Sequence, residues 1–170
     1  GATAVDEVDG DLTGTIVVDS MVDTRQPGAY FVSYNVNDLQ WNAAIEVLRV
    51  VNVVDTTGPV IALKGEQVVT VEVGVDYLDA GAVAEDFVDG DLSESIVVEN
   101  MVDISKPGTY PVSYNVSDSE GNAAAEMVRI VNVVDLQGPV IVLEGEAEVT
   151  LEAGSEYVEA GATALDDMEG

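Results

Sequence analysis

Apolar and polar residues alternate along most of the chain with a period of two. In residues 68–74, VVTVEVG, valines recur at every second position. In residues 110–118, YPVSYNVSD, one face carries four apolar or aromatic side chains: Tyr110, Val112, Tyr114 and Val116. The spacing is that of a pleated strand, and valine, isoleucine and tyrosine favour strands. No segment has the apolar stripe of an amphipathic helix, so the pattern predicts an all-β chain.

Two further strands and the turns between them extend this pattern. Residues 94–100, ESIVVEN, form a short strand, and residues 126–135 place Met127, Arg129, Val131 and Val133 on one face. The turn signals KGEQ, VDGD, SKPGT and SDSEGN separate the strands. Short strands with frequent turns predict an antiparallel β-sandwich of immunoglobulin type, in which Tyr110 opens the sixth strand. We expect Arg129 and its counterpart Arg49 to form surface ion pairs.

The whole pattern returns with a period of 80 residues. Gly1, Gly81 and Gly161 begin matching segments, and the linker DTTGPVIAL (55–63) returns as DLQGPVIVL (135–143). Such self-similarity is typical of arrays of structural units. The predicted fold is therefore all-β, with tandem immunoglobulin-like antiparallel β-sandwich repeats of 80 residues. The predicted domains are a partial repeat lacking its first strands, a complete repeat and the opening strands of a third: 1–56, 57–136 and 137–170.

Composition narrows the choice of partners. The chain has 5 Lys and Arg against 33 Asp and Glu, for a net charge of -28. That charge excludes nucleic acid and argues against anionic membrane surfaces, whereas it favours cations. Hydrophobic residues make up 47% of the chain, which is too many for an acidic disordered chain. There is no cysteine for a disulfide, and no apolar run is long enough to span a membrane.

Three stretches of sequence resemble a known family, the bacterial surface immunoglobulin-like repeats. They are GPVIALKGEQVVTVEVGVDYLDAGAVAEDFVDGDL, KPGTYPVSYNVSDSEGNAA and the pair VVNVVD and IVNVVD. The resemblance implies a structural or adhesive role in large secreted or cell-surface proteins. The acidic loops and linkers are also loosely similar to the cadherin arrangement, which implies calcium between domains. In the first copy DLQWN (38–42) replaces DSEGN (118–122), so Trp41 stands in the position of Gly121.

The acidic loop AEDFVDGDL (84–92) is the main candidate site. Calcium prefers six to eight oxygens on a flexible loop, and Gly90 allows a tight turn between two carboxylates. The spacing is not that of an EF-hand. In an immunoglobulin-like sandwich the loops at 87–94 and 117–122 share one end, and we place the linker at that end too. The predicted calcium ligands come from these three segments: Asp55, Asp86, Asp89, Asp91, Asp118 and Asn122.

The repeat predicts two related acidic sets. One joins Asp135 to Asp166 and Glu169. The other, which lacks an upstream linker, contains Asp6, Asp9, Asp11 and Asp38. Two interpretations stay open at this point: structural calcium at the domain junctions, or acidic turns that keep a strongly charged surface soluble. Sodium or magnesium in the same loop is less expected than calcium; magnesium prefers fewer protein ligands and keeps its waters.

Catalysis is not expected. Paired carboxylates can hydrolyse glycosides, but here they recur in the same loop of each copy without a cleft. The chain has no histidine and no cysteine, the commonest base and a common nucleophile. We expect a non-enzymatic stalk or filament that is extracellular or at the cell surface. The alternative is an adhesive module that binds a glycan or surface partner, for which Trp41 and Phe31 are the only hints.

Neighbouring copies of the same repeat are the expected partners. Residues 1–10 and 161–170 occupy the same phase of the repeat. Successive repeats of the array are then connected in one of two ways. They are covalently joined within a longer repetitive chain, or separate subunits are joined by strand complementation. In the second case residues 137–160 of one subunit fill the gap left in residues 1–56 of the next, giving a head-to-tail filament. Neither nucleic acid nor membrane insertion is expected.

Overall fold

The computed structural model describes residues 1–166 and confirms the all-β prediction. Two short 3-10 turns, Thr13–Thr15 and Ser93–Ser95, supply the helical structure of this part of the chain. Its strands follow in chain order: β1 (Val5–Asp6), β2 (Gly10–Asp11), β3 (Val17–Ser20), β4 (Gly28–Asn35), β5 (Val47–Val53), β6 (Val60–Leu63), β7 (Val68–Glu72), β8 (Ala82–Asp86), β9 (Gly90–Asp91), β10 (Val97–Asn100), β11 (Gly108–Asn115), β12 (Met127–Val134), β13 (Val140–Leu143) and β14 (Ala162–Leu165).

The largest sheet has the strand order β10-β11-β12-β7. β10, β11 and β12 are antiparallel, with Tyr110 opposite Val131. β7 joins the other edge of β12 in parallel, with Val69 opposite Val131. Alternate residues of β11 and β12 are buried, as the period of two predicts: Val112, Tyr114, Arg129, Val131 and Val133.

A second sheet, β3-β4-β5, repeats the antiparallel part of the first. Val17 pairs with Asn35 as Val97 pairs with Asn115, and Tyr30 pairs with Val51 as Tyr110 pairs with Val131. The two sheets therefore share one register, which follows from their matching sequences.

Smaller sheets carry the acidic loops. β1 pairs with β2, β13 pairs with β14, and β6, β8 and β9 form a three-stranded sheet. In the last of these Asp86 lies opposite Gly90, which has a φ of 75°. Only glycine adopts that backbone conformation without strain, so Gly90 closes the turn as the sequence predicts.

The described chain divides into two compact units. The first comprises residues 1–60, 84–95 and 116–125, and its most buried apolar side chains are Val32, Ala84 and Val116. The second comprises residues 61–83, 96–115 and the described part of 126–170. It holds the four-stranded sheet and the buried face of β11 and β12. The division is discontinuous in sequence, and the predicted domain boundaries stay predictions.

Tyr110 lies near the start of β11, as predicted, and Tyr30 has the matching place in β4. The Tyr110 hydroxyl donates to the Lys106 carbonyl oxygen at 3.0 Å, and the Tyr30 hydroxyl to that of Gln26 at 2.9 Å. A tyrosine that bonds back to the preceding backbone is a hallmark of immunoglobulin-like sandwiches.

The prediction of a surface ion pair at Arg129 was wrong. Arg129 is 1% exposed, and its guanidinium pairs with Asp79 and stacks near the Tyr114 ring, 5.8 Å from the centroid. It also donates to the carbonyl oxygens of Glu66 at 2.9 Å and Gly81 at 3.2 Å. A buried guanidinium needs this many partners, and apart from Tyr114 they come from residues 64–81, remote from Arg129 in sequence.

Asp79 is the charged centre of this cluster. Burial raises the pKa of Asp79, but hydrogen bonds from Tyr114, Tyr77 and Arg129 outweigh that effect and leave the pKa below its usual value. The Tyr114 hydroxyl donates to Asp79 Oδ2 at 2.5 Å, and burial raises the pKa of Tyr114. The cluster is therefore an anchored ion pair inside the second unit.

Candidate metal centre

Three carboxylates from separate segments meet in the first unit. Asp55 follows β5, Asp86 ends β8 and Asp118 lies in the loop after β11. One oxygen from each lies within 4.8 Å of the others. Oxygens that share a calcium ion at about 2.3–2.6 Å cannot be much more than about 5 Å apart. The spacing therefore fits a shared cation, and the three residues are members of the predicted set.

The turn of the acidic loop positions Asp86. Its Oδ1 accepts hydrogen bonds from the backbone N–H groups of Val88 at 2.7 Å and Asp89 at 3.0 Å. Chiefly the Asp89 amide, and then that of Val88, lower the pKa of the Asp86 carboxyl. Asp86 is therefore an anion throughout the neutral range, and its side chain is held in one orientation.

Asp118 closes the loop at 118–122. Its two oxygens accept from the Asn122 backbone N–H and side-chain amide, both at 2.7 Å. The Asp118 side chain is among the few buried charges of the described chain, at 8% exposure. Asn122, also predicted as a ligand, thus supports Asp118 directly.

Gly58 lets the linker approach this loop. A Cβ at position 58 would lie 2.3 Å from the Ala123 carbonyl oxygen, a distance that no side chain tolerates. The glycine of the repeated Gly-Pro signal therefore has a packing role. It allows the segment that follows Asp55 to lie against the 118–122 loop.

Asp55 carries the decisive feature. Its Oδ1 accepts from the Thr57 backbone N–H at 3.1 Å and from the Thr57 hydroxyl at 3.0 Å. Its Oδ2 is buried and has no hydrogen-bond partner. An orphaned buried carboxylate oxygen is costly and rare in proteins, and this one belongs to a group of three acids. The donor set suits a hard cation such as calcium.

A second group shares Asp118. Oxygens of Asp89, Asp118 and Glu120 also lie within 4.8 Å of one another. Asp89 Oδ2 accepts from the Ser119 backbone N–H at 2.8 Å, which ties the acidic loop to the 118–122 loop. Glu120 was not predicted, because a lone acid at a loop tip has no signal beyond its charge. Asp91 belongs to neither group, and its Oδ1 accepts from the Ser93 backbone N–H at 2.9 Å.

The first copy has the same loop design without the linker. Asp6 Oδ1 accepts from the Asp9 N–H at 2.9 Å, and Asp9 Oδ2 accepts from the Leu39 N–H at 3.0 Å. The Asn42 side chain lowers the pKa of Asp38, and Asp11 accepts from the Thr13 N–H. Among residues 1–166 this predicted set does not form a group of three acids.

The third predicted set is only partly described. Asp135 is exposed, and its Oδ1 accepts from the Gln137 N–H at 2.9 Å. Asp166 is half-buried. Glu169 lies outside the described residues, so this site stays a prediction.

Comparison with known protein families shows which family the chain belongs to. The sequence model of the bacterial surface protein Ig-like domain matches residues 1–53 and 61–133. The chain belongs to this family. The match spans both copies of the antiparallel sheet, β3 to β5 and β10 to β12. No helix in the described part of this Ig-like chain is long and apolar enough to cross a membrane.

Several named proteins are similar to this Ig-like chain. Pesticidal crystal protein Cry22Aa from Bacillus thuringiensis is 31% identical over 131 residues, which are 75% of this chain and 18% of that protein. Among solved structures, the lipoprotein BT2262 from Bacteroides thetaiotaomicron is 26% identical over 47% of this chain and 39% of its own, with a TM-score of 0.42. The M60 catalytic domain with the CBM51-1 and CBM51-2 domains of Clostridium perfringens ZmpB is 13% identical over 81% of this chain and 30% of its own, with a TM-score of 0.43. The chain thus spans only a small part of each.

Proposed function

We propose that the protein is a non-catalytic structural part of a bacterial secreted or cell-surface protein, in which tandem repeats of 80 residues form a stalk or filament. Calcium stiffens the junction between successive repeats. The observation that carries the proposal is the buried, unpartnered Oδ2 of Asp55 within a group of three carboxylates. Membership of a bacterial surface family supports the extracellular placement.

The proposed role of calcium follows from where its ligands come from. Asp55 lies in the linker, Asp86 ends β8 and Asp118 belongs to the loop after β11. An ion held by all three ties the linker to two loops of the following repeat. It also neutralises carboxylates that otherwise repel each other. A cation would supply only positive charge and coordination here. The conformation of each loop is held by hydrogen bonds within the chain, such as those to Asp86 and Asp118.

The orphaned oxygen distinguishes this proposal from a solvated acidic turn. Carboxylates of a solvated turn face water or accept from nearby amides, as Asp135 does from Gln137. Asp55 Oδ2 does neither. Magnesium fits less well because it usually keeps several waters and takes one or two carboxylates.

Thermal unfolding of the full chain in calcium and in EDTA tests the proposal. We expect calcium to raise Tm, because a ligand that binds only the folded state at a hundred times its Kd stabilises that state by about 2.7 kcal/mol. Asp55→Asn should abolish the increase. Asp19→Asn, at an exposed position outside the candidate sites, should retain it. Equal melting curves in calcium and EDTA would refute the proposal.

Trp41 favours a second candidate function, the adhesive module. It is 83% exposed and has a φ of 67°, in the region that L-residues other than glycine rarely enter. The matching loop has Gly121 there, with a φ of 86°. Strain of this kind persists where the surroundings or function demand it. Binding of full-length protein to immobilised neutral glycans, lost in Trp41→Gly and kept in Phe31→Ala, would favour adhesion.

A further inference from the structure

β7 forms one edge of the four-stranded sheet in the second unit, beside β12. Where the two strands begin to pair, the Ile130 N–H donates to the Gln67 carbonyl oxygen at 2.9 Å. Backbone groups point alternately to the two sides of a strand, so every second residue from Gln67 onward faces β12. The backbone groups of Val68, Thr70 and Glu72 therefore face away from the sheet.

These outward backbone groups are almost all unpaired. Within residues 1–166 the exception is the Glu72 carbonyl oxygen, which accepts from the Val75 N–H at 3.1 Å. Val68 and Thr70 each keep a free N–H and a free carbonyl oxygen, and Glu72 keeps a free N–H. Such an edge is a template for another strand unless a device such as a proline, a bulge or an inward-pointing charge protects it. β7 contains none of these three devices.

A pocket of about 270 Å³ opens beside this edge. Apolar and aromatic side chains of β7 and of the segment after it form much of its wall: Val69, Val71, Tyr77 and Leu78. A strand added to β7 points alternate side chains to the same face as Val69 and Val71, and hence into the pocket. Pockets that hold a whole small molecule usually measure about 300–1,000 Å³, so this one suits a single side chain.

Two carboxylates line the same pocket. Glu66 precedes β7 and Asp76 follows it, and both residues are exposed. Neither belongs to an ion pair of residues 1–166. Arg129 also lines the pocket, but its charge is matched by Asp79. The pocket thus combines an apolar wall with two unmatched negative charges, in a chain of net charge -28.

A lysine or arginine side chain matches this combination. Its aliphatic stem packs on apolar surface while its charged head stays near water or a carboxylate. Leu78, which is 92% exposed, offers surface to the stem, and the Tyr77 ring offers its face to the cation. Glu66 and Asp76 supply the opposite charge. The strongly negative chain also attracts a basic partner over a longer range.

We propose that β7 is a docking edge for an extended basic segment of another protein, which joins the sheet as a fifth strand and places a lysine or arginine in the pocket. Main-chain hydrogen bonds to Val68, Thr70 and Glu72 give affinity, and the pocket gives specificity, as strand addition generally works. This inference goes beyond the structural role proposed above and does not depend on calcium.

Fluorescence anisotropy with the labelled peptide TVTKTVT tests the choice of a basic strand. The peptide alternates threonine and valine around a central lysine, which lies on the same face as the valines. We expect saturable binding to the full chain. TVTETVT should bind at least about tenfold more weakly, because its glutamate would face two carboxylates.

Hydrogen exchange locates the bound peptide. At a TVTKTVT concentration of ten times its Kd, exchange at the amides of Val68, Thr70 and Glu72 should slow about tenfold, because each amide gains a bond in the complex. The unpaired amides of β10, at the other edge of the same sheet, serve as the control. Their exchange should change less than about twofold.

Thr70→Pro removes a central backbone donor of the docking edge. Proline is tolerated in an edge strand where its missing N–H would face solvent. Thr70→Pro should therefore keep its circular dichroism spectrum and lose binding of TVTKTVT. Thr70→Ala keeps the N–H and should bind within about twofold of the unmodified chain.

Acidic variants test the pocket without changing the strand. Glu66→Gln/Asp76→Asn should weaken TVTKTVT binding at least about fivefold, because it removes both charges that face the lysine. Glu94→Gln/Glu99→Gln removes the same net charge from exposed positions outside the pocket. It should change binding less than about twofold. These two variants decide the matter if Thr70→Pro does not fold.

Each other outcome overturns the proposal. Absence of saturable binding, or equal binding of TVTKTVT and TVTETVT, would refute a basic occupant. Binding without slowed exchange at Val68, Thr70 and Glu72 would place the peptide elsewhere. Slowing of these amides with rising protein concentration alone would assign the edge to a second copy of the chain. Binding should be equal in calcium and in EDTA, so failure of the calcium proposal would leave this result unchanged.

Discussion

Arg49 and Arg129 occupy the same place in two nearly identical sheets, yet their surroundings differ completely. Arg129 is 1% exposed and paired with Asp79, whereas Arg49 is exposed. The strands around both arginines have the same register. Local sequence therefore determines the strand pairing and register. The residues that cover the sheet determine whether the arginine is buried and paired with a carboxylate. The acidic loops show the same contrast, since among residues 1–166 only the loop joined by Asp55 gathers three acids.

The largest expected difference between the two arginines is in their contribution to the free energy of unfolding. Arg129→Ala leaves the half-buried Asp79 carboxylate without its cationic partner and removes a buried side chain, so it should lower the free energy of unfolding by about 3–5 kcal/mol. Arg49→Ala, measured in dilute protein, should lower it by at most about 1 kcal/mol. Urea denaturation followed by circular dichroism measures both. Equal losses would show that the two arginines do not differ as their burial indicates.

Lowering the pH should reveal how much the Asp79–Arg129 ion pair contributes to stability. The folded pKa of Asp79 lies below its usual value of 3.8, so the ion pair contributes stability above that value. The contribution is lost as pH falls through the folded pKa, by at most about 1.4 kcal/mol per pH unit for one carboxyl. Asp79→Asn should be less stable at pH 7 and should lose less stability between pH 5 and pH 2. Asp76→Asn, at an exposed position nearby, should follow the unmodified protein.

The smallest expected effect on stability is at Trp41, in the 38–42 loop, where the matching loop has Gly121. Trp41→Gly removes a bulky residue from a left-handed backbone conformation and should stabilise the protein by about 1 kcal/mol. Gly121→Trp should destabilise it by a similar amount. Circular dichroism must report unfolding, because Trp41 is the sole tryptophan. Destabilisation by Trp41→Gly would mean that the Trp41 side chain packs in a way its exposure does not show.

Much of the fold was predictable because strand faces and turns are local properties. The alternation placed Val112, Tyr114 and Val131 in the core, and all three are 0% exposed. The meeting of Asp55, Asp86 and Asp118 followed from the loop order of an immunoglobulin-like sandwich. The deep burial of Arg129 was not predicted from the sequence, although the alternation placed this residue on an apolar face. Apart from Tyr114, its partners come from residues 64–81, and a period of two says nothing about such distant contacts.

Two details of the candidate site also lay beyond the sequence. Glu120 joins Asp89 and Asp118 only because the 118–122 loop folds back through the bonds between Asp118 and Asn122. The orphaned Asp55 oxygen depends on how tightly the linker lies on the loop, which Gly58 permits. Both details arise from packing between segments, so composition and spacing cannot reveal them.

Hydrogen exchange of backbone amides in calcium and in EDTA measures the stiffening of the junction. Several amides donate to the candidate ligands: Thr57, Val88, Asp89, Ser119 and Asn122. The matching amides of the first copy serve as an internal control: Val8, Asp9, Leu39 and Asn42. We predict that calcium slows exchange in the first group and leaves the second unchanged. Identical exchange with and without calcium at the junction amides would contradict a calcium-stiffened joint.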